Sequence, residues 1–167
     1  GRVYPDGVVT THARVVLMKQ QMNASGSLVL VLACLMTANA IARPDDAAEC
    51  RAVFAKGQAA EQQGDYAAAA QHYERAMQLA PRVFGPDHAN TAATINNLAN
   101  VYQRLGKYAA AEALHRRGLA IEEKNHGPDH PEVATSLNNL ANVCQDQGKT
   151  AEAERLHRRA LAIREKA

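Results

Sequence analysis

The sequence predicts an all-α solenoid of stacked antiparallel helix pairs, and three observations support that prediction. The chain is 47% apolar but only 4% aromatic, lacks Trp and is rich in alanine. Such a composition suits close-packed helices and makes a β-sandwich core difficult. The hexamer NNLANV occurs twice, at Asn96 to Val101 and at Asn138 to Val143. Sliding the chain by those 42 residues also superimposes GPDH at Gly85 to His88 on Gly127 to His130, LHRR at Leu114 to Arg117 on Leu156 to Arg159, and the glycines Gly64, Gly106 and Gly148. A period of that length in helical sequence means hairpins that cannot bury their apolar faces alone and must stack. Three units follow, at 48–88, 89–130 and 131–167.

Ahead of them, Leu28 to Met36 reads LVLVLACLM, followed by TANA at Thr37 to Ala40. That apolar run is too short for a membrane-spanning helix, which needs about 20 residues. It has the form of the hydrophobic region of a secretory signal, with Met18-Lys19 as a positively charged start and Ala38-Asn39-Ala40 as a small-x-small cleavage site. Residues 18–40 are therefore expected to be a signal peptide, 1–17 an upstream or fragment segment without fixed structure, and 41–47 a linker. The mature chain is then exported, to a periplasm or to the exterior, with no stable membrane span. If the leader is not a signal, the chain is cytoplasmic. A lipoprotein variant with Cys34 as the lipid-carrying residue fits less well, because the apolar run continues past that cysteine.

The helices of a unit are readable directly. Ile95, Leu98, Ala99 and Tyr102 recur at i, i+3, i+4 and i+7, an apolar stripe along one face, and Leu137, Leu140, Ala141 and Cys144 repeat it. Gly106 and Gly148 stand just beyond the last turn, where a left-handed residue ends a helix. Second helices follow at about 108–124 and 150–166. Their inner faces are Ala111, Leu114, His115, Gly118 and Leu119, and Ala153, Leu156, His157, Ala160 and Leu161, with small residues allowing close helix approach. Asp129 to Glu132, DHPE, has the form of a capping box with Pro131 in the first turn. His115 and His157 fall at inward positions and read as core or half-buried histidines. His88, His126 and His130 invite a metal reading, but the Gly-Pro loop between the last two breaks the helical geometry that would aim both rings at one ion.

Charge excludes further classes. From Arg43 onward 16 Lys and Arg stand against 16 Asp and Glu, so the net charge of +2 resides in the leader. No basic stripe of the kind that neutralises phosphates is present, and nucleic acid is not an expected partner. Glu112 to Arg116 and Glu154 to Arg158 have the i, i+4 spacing of exposed helical ion pairs. Cys34, Cys50 and Cys144 lack zinc-ligand spacing, Cys144 belongs to the core stripe, and no disulfide is expected. No Ser/His/Asp, Cys/His or Gly-rich phosphate constellation occurs, so no catalytic residue, cofactor or metal is assigned.

Val133 to Lys166, VATSLNNLANVCQDQGKTAEAERLHRRALAIREK, together with the GPDHP that precedes it, resembles a tetratricopeptide repeat of the 42-residue kinesin light chain type. The resemblance covers about 48–167. It is weakest in the first unit, where GDYAAAAQHYERAMQLAP at Gly64 to Pro81 matches but Lys56 stands at a core leucine position. The family implies a right-handed superhelix whose first helices line a concave groove that grips peptide segments of partner proteins. Within that frame Asn96, Asn100 and Gln103 form a polar stripe at i, i+4 and i+7, and Asn138, Asn142 and Gln145 repeat it. An asparagine offers donors and acceptors that can pair with a guest backbone without reading its side chains. The expected groove residues are Asn96, Asn97, Asn100, Gln103 and Arg104 in the second unit and Asn138, Asn139, Asn142 and Gln145 in the third. The competing use of these amides is to set register between stacked helices.

Three functions fit the sequence. The first is a non-catalytic scaffold binding extended peptide segments or whole proteins. The second is the recognition arm of a larger, truncated enzyme or signalling protein. The third is a self-assembling module, a homo-oligomer formed through the uncovered side of the terminal repeat.

Overall fold

The computed structural model describes residues 44–166; the expected upstream segment, signal peptide and start of the linker, with Cys34, lie outside the described residues. Six helices follow in order: α1 (Pro44–Gln62), α2 (Tyr66–Val83), α3 (Ala89–Arg104), α4 (Tyr108–His126), α5 (Pro131–Asp146) and α6 (Thr150–Lys166). The first unit starts earlier than its repeat pattern suggests. Pro44 opens α1, and Asp45 and Asp46 occupy its first turn, where carboxylates favour the helix N-terminus, so part of the expected 41–47 linker is helical.

Each hairpin pairs a first helix with a second, α1 with α2, α3 with α4 and α5 with α6, and the stack continues through α2 against α3 and α4 against α5. The turn inside a hairpin is set by a glycine. Gly106 and Gly148 sit at φ of 72° and 75°, and the next amide, of Lys107 or Lys149, reaches back to the carbonyl of Tyr102 or Cys144 at 2.8 Å. That is the six-to-one bond of a left-handed helix stop, which a side-chain-bearing residue would strain.

The predicted apolar stripes are core. Ile95, Leu98, Ala99, Leu137, Leu140, Ala141 and Cys144 are buried, and Tyr102 is half-buried with its hydroxyl donating to Glu74 Oε1 at 2.8 Å. Leu98 packs with Tyr73 of the preceding unit, and Leu119 packs with Val133 and Leu137 of the following one, so burial is shared between hairpins as a solenoid requires. Leu161 departs from its predicted inner face, and Lys56 departs from the family pattern. Leu161 is 57% exposed whereas its counterpart Leu119 is 9% exposed, because α5 covers Leu119 and no described helix covers Leu161. Lys56 is exposed on the outer side of α1, at the position that Leu98 fills against α2. The first unit therefore accommodates a charge where the other units bury a leucine.

The GPDH blocks do turn-and-cap chemistry, but through a different residue. The N-cap of α5 is His130, not Asp129: its Nδ1 accepts from the Glu132 amide at 3.2 Å, and His88 does the same for the Asn90 amide of α3 at 3.1 Å. Both imidazoles must be neutral at Nδ1 to accept, which fixes the remaining proton on Nε2. The loop also brings His126 and His130 together, with rings stacked at 4.6 Å between centroids. Cys50 and Cys144 are free and buried, and burial pushes both thiols up.

Candidate peptide-binding groove

The first helices α1, α3 and α5 stand side by side, and their shared open face carries two clefts one repeat apart. The first, about 350 Å³, is lined by Arg51, Phe54 and Gln58 of α1 and Asn90, Ala93 and Thr94 of α3. The second, about 430 Å³, lies between Asn96 of α3 and Glu132, Thr135, Ser136 and Asn139 of α5, with Glu122 of α4 and His130 completing it. Cys50, Ala55 and Phe84 also line the first, so it mixes apolar with polar residues. Its successor is polar and acidic.

Successive residues on a helix are 100° apart, and this separates the asparagine pair. Asn97, Asn100, Asn139, Asn142, Gln145 and Arg104 are half-buried or exposed, and their side chains make no hydrogen bond or ion pair within the described residues. The other predicted groove amides are differently placed. Asn138 turns toward α6: oriented to satisfy both neighbours, its amide donates to His157 Nδ1 at 3.0 Å and accepts from Arg164 at 2.8 and 2.9 Å. Gln103 donates to Asp146 Oδ2 at 2.6 Å, tying α3 to α5. These two side chains bond to neighbouring helices, the competing use that the sequence left open. Asn96 turns to α4 beside Gly118, and its Oδ1 is buried without a hydrogen bond.

The three units thus solve one seam position differently. Unit 1 places Phe54 against Tyr73 with ring centroids 5.5 Å apart, unit 3 pairs Asn138 with His157, and unit 2 has Asn96 and His115 at the same places. His115 is 0% exposed, neither ring nitrogen has a partner, and burial holds its pKa down to about 4. Gly118 explains the difference, because it leaves room for Asn96 where unit 3 has Ala160. A Cβ at Gly118 would meet Asn96 Oδ1, with Cγ at 3.1 Å, and force the amide to turn as Asn138 does. Gly118→Ala is therefore expected to stabilise the fold by about 1 kcal/mol, from helix propensity and the new pairing with His115. Urea unfolding of the two proteins measures it; destabilisation would mean that Asn96 cannot make the turn.

A further cluster joins α4, α5 and α6. Glu112, Cys144 and Glu152 place potential ligand atoms within 4.8 Å of one another. Glu112 already accepts from Lys149 Nζ and Gln147 Nε2, each at 2.7 Å, and pairs with Arg116, which also bonds Glu152 at 2.9 Å. The bond from Lys149, foremost, holds the Glu112 carboxyl below its usual range despite burial. The cations there do the neutralising a metal would do, and the knot ties α4 to α6.

This geometry agrees with the protein-family comparison: the tetratricopeptide repeat model matches residues 49–124 and again 92–166. The chain belongs to the tetratricopeptide repeat family. Among solved structures this repeat protein is similar to BtubC (BKLC) from P. vanneervenii, at 25% identity and a TM-score of 0.64, covering 69% of this chain and 46% of that one. A kinesin light chain-type protein of Podospora anserina with nearly identical repeats is similar at 26% identity and 0.63, covering 70% and 55%. The repeat domain of Arabidopsis FLU is alike in fold at 19% identity and 0.64, covering 73% and 99%. The chain spans about half the length of the first two structures. No curated relative matches it. These likenesses make it a tetratricopeptide repeat protein of the kinesin light chain-like type. Such domains generally act as scaffolds that bind proteins or peptides. No helix among the described residues is long and apolar enough to cross a membrane.

Proposed function

We propose that this repeat protein is a non-catalytic scaffold that holds an extended segment of a partner polypeptide against the open face of its first helices. The observation that supports this reading is the repeated pair of amides without hydrogen bonds among the described residues, Asn97 and Asn100 on α3 and Asn139 and Asn142 on α5, of which Asn139 lines the second cleft. Packed helices lie about 8 to 10 Å apart and an extended chain rises about 3.3 Å per residue, so one repeat meets about every third guest residue. Each amide bond contributes about 0.5 to 1.5 kcal/mol net, which makes micromolar affinity the natural scale for so few repeats. Replacing Asn97, Asn100, Asn139 and Asn142 together by alanine is expected to weaken selected decapeptides at least tenfold in titration calorimetry. Unchanged affinity would refute the groove.

On this reading the partner is met outside the cytoplasm, because residues 18–40 have the form of an export signal. N-terminal sequencing of the protein from fractionated cells should then begin at Ile41; a cytoplasmic protein retaining Leu28 to Met36 would overturn that part.

A further inference from the structure

We propose that the cleft between α3, the end of α4 and the start of α5 accepts a lysine or arginine side chain of the guest polypeptide. The inference rests on the groove reading above and gives it a specificity.

The argument comes from comparing the same position in successive repeats. Ala80, Glu122 and Arg164 occupy equivalent places near the ends of α2, α4 and α6. In the third unit Arg164 donates both guanidinium nitrogens to the Asn138 carbonyl. The equivalent asparagine in the second unit, Asn96, faces a glutamate position instead, and its Oδ1 is an acceptor without a donor. Glu122 lines the same cleft, is only 7% exposed, and its Oε2 takes no hydrogen bond although His126 Nε2 lies 3.3 Å away. Glu122 and Asn96 are both on the wall of one open cleft, and each keeps a buried oxygen without a hydrogen bond: Asn96 Oδ1 lies against Gly118, and Glu122 Oε2 has only the His126 ring in ion-pair range.

The remaining charges point the same way. Glu132 lines the cleft, and no lysine or arginine does. His130 Nδ1 accepts from the Glu132 amide, so that atom faces the backbone and not a guest. Burial, followed by the proximity of Glu132, pushes the Glu122 carboxyl up, which is the state a bound cation relieves. A guest ammonium or guanidinium would supply here what Arg164 supplies one repeat later.

The neighbouring cleft narrows the motif. Phe54, Ala55, Phe84 and Ala93 make it a seat for an apolar side chain, one repeat away. The guest is then an extended segment with an apolar and a basic residue about three positions apart.

A positional-scanning library of N-acetylated, C-amidated decapeptides, selected on the full chain, tests this. Enrichment of Lys or Arg about three positions from an apolar residue is the expected result. Glu122→Gln, of the same shape, should reduce the Lys or Arg preference about tenfold. Glu122→Arg, which copies the third repeat, should abolish it, while both variants retain the native circular dichroism spectrum and bind peptides without the basic residue as before. Peptides selected with no basic preference, or a preference untouched by either substitution, would overturn the cleft assignment and leave the groove standing. No selection of any peptide would overturn both.

Discussion

Acidification from pH 6.5 to pH 4 is expected to cost the fold about 3 kcal/mol through His115 alone. The side chain is sealed in the seam of the second hairpin with both nitrogens unpartnered, so charging it there has no compensation. In the unfolded chain His115 takes its proton near pH 6.5, whereas in the fold it does so only at about 4. Between those values the unfolded state binds more protons, and stability falls as pH falls. Above pH 6.5 the group is neutral in both states and contributes no slope. Glu122 acts in the opposite sense, because its carboxyl is raised: what it contributes is complete below the ordinary carboxylate range and fades as pH rises through its folded value. The variant His115→Phe isolates the histidine. Urea midpoints of the variant should lose most of the slope between pH 6.5 and 4 that the parent shows. An equal slope in both proteins would mean that His115 finds a proton partner in the fold.

Tyr73→Ala is expected to be the most damaging single truncation, at about 3 to 5 kcal/mol. Tyr73 is fully buried in α2, lies against Phe54, and packs so tightly over Gly57 that a Cβ there would fall 2.7 Å from its ring. Its hydroxyl donates to Glu61 Oε2 at 3.0 Å. Tyr73→Phe removes only that bond and should cost about 1.5 kcal/mol. In a stack of hairpins the first unit should loosen before the others, so the alanine variant is expected to lose amide protection in α1 and α2 ahead of α5 and α6. Hydrogen exchange resolves this; uniform loss across all six helices would show that the repeats melt as one unit.

The fold was legible because the 42-residue period and the 3.6-residue stripe agree in the second and third units, so core positions such as Leu98 and Leu140 could be read from either signal. The site was legible only in part. Asn96 and Asn97 are adjacent in sequence but face different surroundings, and choosing between them requires knowing on which side the next hairpin packs, which a single helix does not encode. Histidine caps were missed for a chemical reason: imidazole is not among the usual N-cap side chains, so Asp129 drew the assignment that His130 fills. The exposure of Leu161 could not be read from its own helix, since burial at that position is supplied by the following one. Glu122 looked like one more charge near a helix end; only its place under the cleft, opposite Asn96, distinguishes it.

Chemical-shift mapping of the side-chain amides tests the central claim most directly. With the tightest decapeptide from the library added to the labelled protein, the side-chain amide resonances of Asn97, Asn100, Asn139 and Asn142 should move, while the backbone amides of exposed residues on α2, α4 and α6 away from the clefts stay fixed. Shifts confined to those second helices, with the four asparagines unmoved, would contradict a groove formed by the first helices.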